Sequence, residues 1–321
     1  MNKIAFIFPG QGAQYVGMGK EIVNSNKESK EVFDYANNIL DFDLEEICFS
    51  EQEKIHNTEY TQPALLATSI AILKAVEAFG IKPDYVAGLS LGEYSALVAN
   101  GCIDFEDAVY LVRKRGQFME EAARKTQGTM AAVIGADKAT IEEECKKAKG
   151  IVSVANYNSP AQIVIAGEVQ AVSEVSAKLI EKGIRVIPLK VSGAFHSQLM
   201  KEAANKLEDV LNDIDIKPFN TPYATNVSGE IMYTCEGVKD LLIEQVMSSV
   251  KWEDCINSLI AQGVDTFVEI GPGKTLSGLV KKIDRSKKVL NIEDISSLQK
   301  SRELLKHLIK KEKVEEFSLN Y

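Results

Sequence analysis

A short apolar run, Tyr85-Val86-Ala87, passes directly into Gly88-Leu89-Ser90-Leu91-Gly92-Glu93 and then into a helical stretch, Tyr94-Ser95-Ala96-Leu97-Val98-Ala99, closed by Gly101. A buried strand, a sharp turn and a helix in that order are the unit from which α/β sheets are built, and the flanking glycines let the backbone reverse within a few residues. The pattern G-x-S-x-G at such a turn is also how a chain presents a serine hydroxyl above the end of a strand as a nucleophile. A glycine-rich turn with a spectator serine fits the same six residues, so Ser90 needs partners elsewhere before a chemical role follows.

The rest of the chain extends the αβ alternation. Lys3 to Phe8 reads as a strand ending at Pro9-Gly10-Gln11-Gly12, and helical periodicity dominates up to residue 79. From Met130 the pattern changes to strand Met130–Ile134, helix Ala139–Lys149, strand Ile151–Asn156, strand Gln162–Ala166, helix Gln170–Lys182 and strand Ile184–Val191. That β-α-β-β-α-β order is the ferredoxin-like unit. Beyond it, Leu199–Asn212 reads as helix, Tyr223–Asn226 as strand and Val264–Ile270 as a buried strand ending at Gly271-Pro272-Gly273. The expected fold is therefore α/β, a hydrolase-like core with a mostly parallel sheet plus an inserted ferredoxin-like subdomain. Residues 1–126 and 192–321 would form the large discontinuous domain, residues 127–191 the small one, and the cleft between them the ligand site.

Composition narrows the function classes. The 321 residues carry a net charge of -9, which disfavours nonspecific nucleic-acid binding. The Lys-rich stretch around Lys306, Lys310, Lys311 and Lys313 is interleaved with glutamates and reads as a solvated helical face. No apolar run is long enough to span a bilayer, and the N-terminus has no signal-peptide core, so a soluble cytoplasmic protein is expected. Five scattered cysteines without a C-x-x-C pair argue against a disulfide framework and against a zinc site, and no metal is expected. Chain length favours a monomer.

A serine nucleophile needs a base, and there are three histidines. His56 lies in a polar stretch and His307 on the Lys-rich segment, so both read as surface residues. His196, in Ser192-Gly193-Ala194-Phe195-His196-Ser197, stands where the small unit ends and the chain returns to the large one. An acid between Ser90 and His196 is hard to find, so a standard triad is not expected; a Ser-His pair whose imidazole is oriented by a carbonyl would still serve, since the third member's task is to set the tautomer and ring position. Gly10-Gln11-Gly12 lacks the third glycine of a dinucleotide fingerprint, and Gly273-Lys274-Thr275 lacks the first glycine of a P-loop, so neither nucleotide is implied. The Gln11 amide remains as a candidate oxyanion donor beside that of Leu91. Arg115, on the amphipathic segment Val112–Met119, reads from that segment alone as part of a solvated face; turned inward, it would grip a carboxylate bidentately.

Phe8-Pro9-Gly10-Gln11-Gly12, Thr61-Gln62-Pro63-Ala64, Gly88 to Glu93, Arg115-Gly116, Gly193 to Ser197 and Glu269-Ile270-Gly271-Pro272-Gly273 occur in that order. Together they make the chain, from about residue 4 to about 285, resemble the malonyl-CoA:acyl-carrier-protein transacylases. The resemblance implies that Ser90 carries a malonyl ester, that His196 activates first Ser90 and then the carrier thiol, and that Arg115 holds the malonyl carboxylate. It also implies an oxyanion hole from the Gln11 and Leu91 amides, a Gln245 backbone carbonyl orienting His196, and pocket positions for Gln62 and Asn156. Malonyl-CoA would be a substrate, acyl carrier protein the partner, and no cofactor would be used; the product would feed fatty acid synthesis. A free-standing acyltransferase serving polyketide synthases and a carrier-protein hydrolase remain alternatives. The loop around His196 resembles the malonyl-type version rather than the methylmalonyl one. Leu89 departs from the histidine common in the family, and its side chain is expected to alter packing behind the turn.

Overall fold

The run Ile4-Ala5-Phe6-Ile7-Phe8 is apolar on both faces, which suits a strand covered from both sides, and every residue of it is buried. The computed structural model describes residues 3–304; the Lys306 to Lys313 stretch with His307 lies outside the described residues. In chain order the first five strands are β1 (Lys3–Phe8), β2 (Tyr85–Gly88), β3 (Gly128–Ile134), β4 (Val152–Ser159) and β5 (Gln162–Glu168). The others are β6 (Arg185–Pro188), β7 (Tyr223–Ala224), β8 (Ile231–Met232), β9 (Val264–Ile270) and β10 (Lys288–Ile292).

Six strands form one sheet in the order β10-β9-β1-β2-β7-β8, parallel throughout except for the β7–β8 edge hairpin. The period of two along β1 sorts its side chains between two cores. Ile4, Phe6 and Phe8 join the large cluster under the helices Thr58–Glu77 and Phe105–Thr126. Ala5 and Ile7 face the opposite way, onto a cluster containing Trp252 and Phe267.

The remaining four strands form an antiparallel sheet in the order β4-β5-β3-β6, the ferredoxin-like arrangement. One face, with Ala131, Val133, Ile163 and Ile165, packs on the helices Lys138–Lys147 and Val169–Glu181. The other, with Met130, Ala132, Val164 and Ala166, joins the large core. The small sheet thus turns a side-chain face toward the carboxyl ends of the parallel strands.

Three strand expectations need correction. β6 stops at Pro188 rather than Val191, since proline brings no N–H to the ladder. β7 stops at Ala224 rather than Asn226, because Asn226 is committed to the loop after β2. The edge strands β8 and β10 were not foreseen: one is two residues long and the other half-exposed and polar in part. Among the described residues, no helix is long and apolar enough to cross a membrane, and no three His, Cys, Asp or Glu side chains gather to hold a metal ion.

Candidate active site

Ser90 lies between β2 and the helix Leu91–Ala99, with φ 53° and ψ −107°. A non-glycine residue in that region carries strain of about 1–3 kcal/mol, so its surroundings must hold it. Hydrogen bonds on both sides of the turn do so, among them Gln245 Nε2 to Ser90 O at 3.1 Å. Leu89 N donates to Phe8 O at 3.1 Å, tying the turn to the end of β1. Asn226 Oδ1 accepts from Ser90 N at 2.6 Å, and Asn226 Nδ2 donates to Gly88 O at 2.8 Å. The glycines are a steric necessity: a Cβ on Gly88 would lie 1.9 Å from the Gly92 carbonyl carbon, and one on Gly92 would lie 2.0 Å from Phe8 O.

His196 follows β6, where the chain returns from the small sheet. Its Nε2 is 2.7 Å from Ser90 Oγ, and its Nδ1 is 2.8 Å from the backbone O of Gln245. Gln245 sits in the last turn of the helix Val238–Met247, whose final carbonyls have no partner within the helix and are free to accept from outside. A carbonyl only accepts, so Nδ1 carries the proton and Nε2 offers its lone pair to the serine. Burial first, and then the Arg115 charge, push the imidazole down to about 4, while the Gln245 carbonyl pulls the other way. The ring is therefore neutral near pH 7.

Arg115 comes from the middle of the helix Phe105–Thr126 and is 2% exposed, so the solvated-face reading of its segment is corrected. Arg113, two residues earlier, is also buried and pairs with Asp41 and Glu59. Arg115 differs in having no ion pair among the described residues. Its Nη2 donates to Gln245 Oε1 at 3.0 Å and reaches Ser90 Oγ at 3.3 Å, its Nε has no partner, and its guanidinium stacks over Tyr94 at 5.3 Å. Burial lowers its pKa from the ordinary arginine value.

These groups meet in a cavity of about 210 Å³. Gln11 and Leu91 border it at the serine, and neither backbone amide donates a hydrogen bond among the described residues. Leu91 is the first residue of its helix, where amides lack intrahelical acceptors. The opposite wall is the small sheet, with Met130, Ala132, Val164 and Asn156. Gln62 is fully buried but does not border the cavity: it stands behind Met119, its Nε2 3.4 Å from Met119 Sδ, because the helix Thr58–Glu77 presents it to the Phe105–Thr126 helix. Leu89 borders the cavity and packs on the Trp252 cluster, so it shapes the wall rather than only the space behind the turn. His56 is exposed, as its polar stretch implied.

Three residues of the site escaped the sequence reading: Glu93, Asn158 and Asn226. Glu93 is buried, and its Oε2 accepts from Gln245 Nε2 at 2.7 Å and from Asn226 N at 3.2 Å. Asn158 borders the cavity with its Oδ1 unpartnered. For Asn226 a signal existed, since a polar residue just past a buried parallel strand lies where α/β sheets collect ligands. For Glu93 none did, because an acid in a first helical turn ordinarily just complements the helix dipole.

A family model described as acyl transferase domain matches residues 5–314. The chain belongs to that acyl transferase family. Within it, the acyltransferase is similar to the malonyl CoA-acyl carrier protein transacylase of Bacillus subtilis (strain 168), with 48% identity over 311 residues, covering 95% of this chain and 98% of the relative. The crystal structure of a malonyl CoA-acyl carrier protein transacylase from Clostridium perfringens ATCC 13124 superposes with a TM-score of 0.92 at 47% identity, over 98% of this chain and 99% of that one. A malonyl-transacylase solved in complex with its type II PKS acyl-carrier protein gives a TM-score of 0.91 at 38% identity, over 94% of this chain and 99% of that one. The acyltransferase thus stands among the malonyl CoA-acyl carrier protein transacylases, in fold and in sequence.

Proposed function

We propose that this transacylase moves the malonyl group of malonyl-CoA to the phosphopantetheine thiol of an acyl carrier protein through an ester on Ser90, in a ping-pong sequence. The observation that carries the reading is Arg115: a buried cation with no carboxylate partner among the described residues, one nitrogen 3.3 Å from the Ser90 hydroxyl. Such a group is a receptor for an anion on the acyl chain being transferred.

In the first half-reaction Ser90 Oγ attacks the thioester carbon while His196 Nε2 takes the serine proton. The carbonyl oxygen becomes an oxyanion within reach of the Gln11 and Leu91 amides. Collapse breaks the carbon–sulfur bond, and the coenzyme A sulfur leaves with the proton held by His196. In the second half-reaction the carrier thiol gives its proton to His196 and attacks the ester, and Ser90 Oγ leaves with that proton. The balance is one acyl group exchanged for one thiol proton, and no cofactor takes part. A larger cavity of about 750 Å³ shares Gln11, Leu89 and Val191 with the inner one and opens outward past Lys190, giving a thin pantetheine arm a path to the serine.

Asn156 faces the acyl group in this reading, and Gln62 supports the wall. The chain acts as a cytoplasmic monomer, with residues 127–191 as a small subdomain inserted between residues 1–126 and 192–321. Its product serves fatty acid synthesis. Service to a polyketide carrier is the second reading, favoured by the relative bound to its type II PKS carrier. Intact-mass spectrometry after brief mixing with malonyl-CoA tests the chemistry. A single malonyl adduct absent from Ser90→Ala and passed to a carrier in its thiol form supports transfer. Free malonate with no adduct supports a hydrolase instead. The two carrier types, compared as acceptors, then separate the two readings.

A further inference from the structure

Glu93 is 1% exposed; its backbone N–H donates to Ser90 O at 3.0 Å, but its carboxyl group makes no hydrogen bond or ion pair with Ser90, His196 or Arg115 among the described residues, and both residues that donate to that carboxyl do touch the reacting groups. Asn226 holds the Ser90 backbone. Gln245 touches all three: its backbone O meets His196 Nδ1 at 2.8 Å, its Oε1 meets Arg115 Nη2 at 3.0 Å, and its Nε2 donates to Ser90 O at 3.1 Å. We propose that Glu93 is the positioning residue of this site, its Oε2 setting the orientation of the Gln245 side-chain amide and, through it, the aim of Arg115 at the carboxylate of the acyl group. The inference rests on the reading of Ser90 and Arg115 above.

The donor and acceptor inventory supports one orientation. Gln245 Nε2 lies between Glu93 Oε2 at 2.7 Å and Ser90 O at 3.1 Å, where acceptors are needed from its neighbours and found. Gln245 Oε1 faces a guanidinium, which only donates. A half-turn of the amide would set oxygen against both acceptors and NH₂ against the arginine, losing all three contacts. Without Glu93 the shortest of the three contacts is gone, and only Ser90 O and the Arg115 guanidinium would oppose that turn. The placement has a second consequence. A carboxylate bonded directly to Arg115 would occupy the nitrogens that an acyl carboxylate needs. Held one side chain away, Glu93 directs the guanidinium and leaves it without an anionic partner among the described residues.

A merely structural Glu93 would lower all acyl transfers alike, whereas a positioning Glu93 acts on the malonyl-to-acetyl ratio. The test uses the full chain and measures single-turnover acylation of Ser90 by malonyl-CoA and acetyl-CoA, read by intact mass. Glu93→Gln keeps an acceptor oxygen in place and should hold the wild-type ratio within about threefold; Glu93→Asp draws the acceptor back by one methylene and should lower the ratio about tenfold or more. Gln245→Met removes the oriented amide and should lower the ratio by a similar factor. An unchanged ratio in Glu93→Asp or in Gln245→Met overturns the inference. So does a Glu93→Gln ratio as low as that of Glu93→Asp, because charge rather than the acceptor would then be what matters. If wild-type protein forms no malonyl adduct at all, the reading of Ser90 itself has failed, and the two failures are told apart.

Discussion

The Nδ1 of His196 is held by the backbone oxygen of Gln245 at 2.8 Å, in the position where a carboxylate stands in many serine enzymes. A neutral acceptor fixes the tautomer without adding a negative charge to raise the basicity of the ring. Burial and the neighbouring Arg115 are thus left to set the imidazole, which is pushed down to about 4. In the proposed mechanism the base stays unprotonated at the expense of base strength, and the Gln11 and Leu91 amides would stabilise the developing charge.

The first prediction concerns acid. Only neutral His196 can take the Ser90 proton, so its active fraction falls as pH drops through about 4 rather than through 6.5. Single-turnover acylation should therefore stay level down to about pH 5 and decline below it. Running the series in Glu93→Gln as well removes that carboxyl's titration from the profile. A decline centred near 6.5 in both proteins would show that the ring is hydrated.

Arg115→Ala separates carboxylate binding from general damage. A hydrogen bond to a charged group contributes about 1.5–3 kcal/mol, so malonyl transfer should fall about 10- to 150-fold more than acetyl transfer. The measurement is kcat/KM for both donors. Equal losses would remove the carboxylate from its assigned partner.

Two glycines predict opposite outcomes for the same substitution. At Gly92 a Cβ meets backbone at 2.0 Å, and neither the helix nor β1 can give way, so Gly92→Ala should cost about 3 kcal/mol or more. Gly278, exposed in the helix Thr275–Ile283, has nothing within 4 Å of its Cβ position. There Gly→Ala should stabilise by about 0.5–1 kcal/mol. Urea unfolding of both variants checks the pair, and similar shifts in the two would discredit the steric account.

Glu93 makes stability depend on pH in a stated direction. Burial raises its carboxyl from 4.5 to about 7, against the pull of its hydrogen bonds with Gln245 and Asn226. Between those values the folded chain binds more protons than the unfolded one. The contribution of this group is thus fully present below 4.5 and lost as pH rises through about 7. Glu93→Gln lacks that loss, so its unfolding free energy should gain on wild type by on the order of 1–3 kcal/mol between pH 4.5 and 8. A constant difference between the two proteins would mean that Glu93 ionises as it does in water.

Much of the molecule could be read before folding was considered. The apolar run Ile4–Phe8 announces a doubly covered strand, because such a strand carries apolar residues on both faces. The β-α-β-β-α-β order marked out the second sheet. Ser90 and His196 were legible because the turn needs glycine at fixed spacing and because so few histidines compete. Short edge strands were not legible, since two residues such as Ile231-Met232 carry no period.

What the sequence determined by itself was therefore local: which segments are strands or helices, and where the backbone must turn tightly enough to lift a serine. The tertiary structure alone decided which way polar side chains point. Arg115 shares its helix with solvated residues and faces inward only because the elements around it leave that place open. Asn156 reaches the cavity through a bulge in β4: Val154 pairs with Ile165, but Asn156 pairs with Val164, so the one extra residue turns Asn156 to the opposite face. Glu93, Gln245 and Asn226 are separated by more than 130 residues of chain between the first and the last, and nothing in their neighbours' identities records the contact. Periodicity assigns a residue to a face of its own element; only packing settles what that face meets.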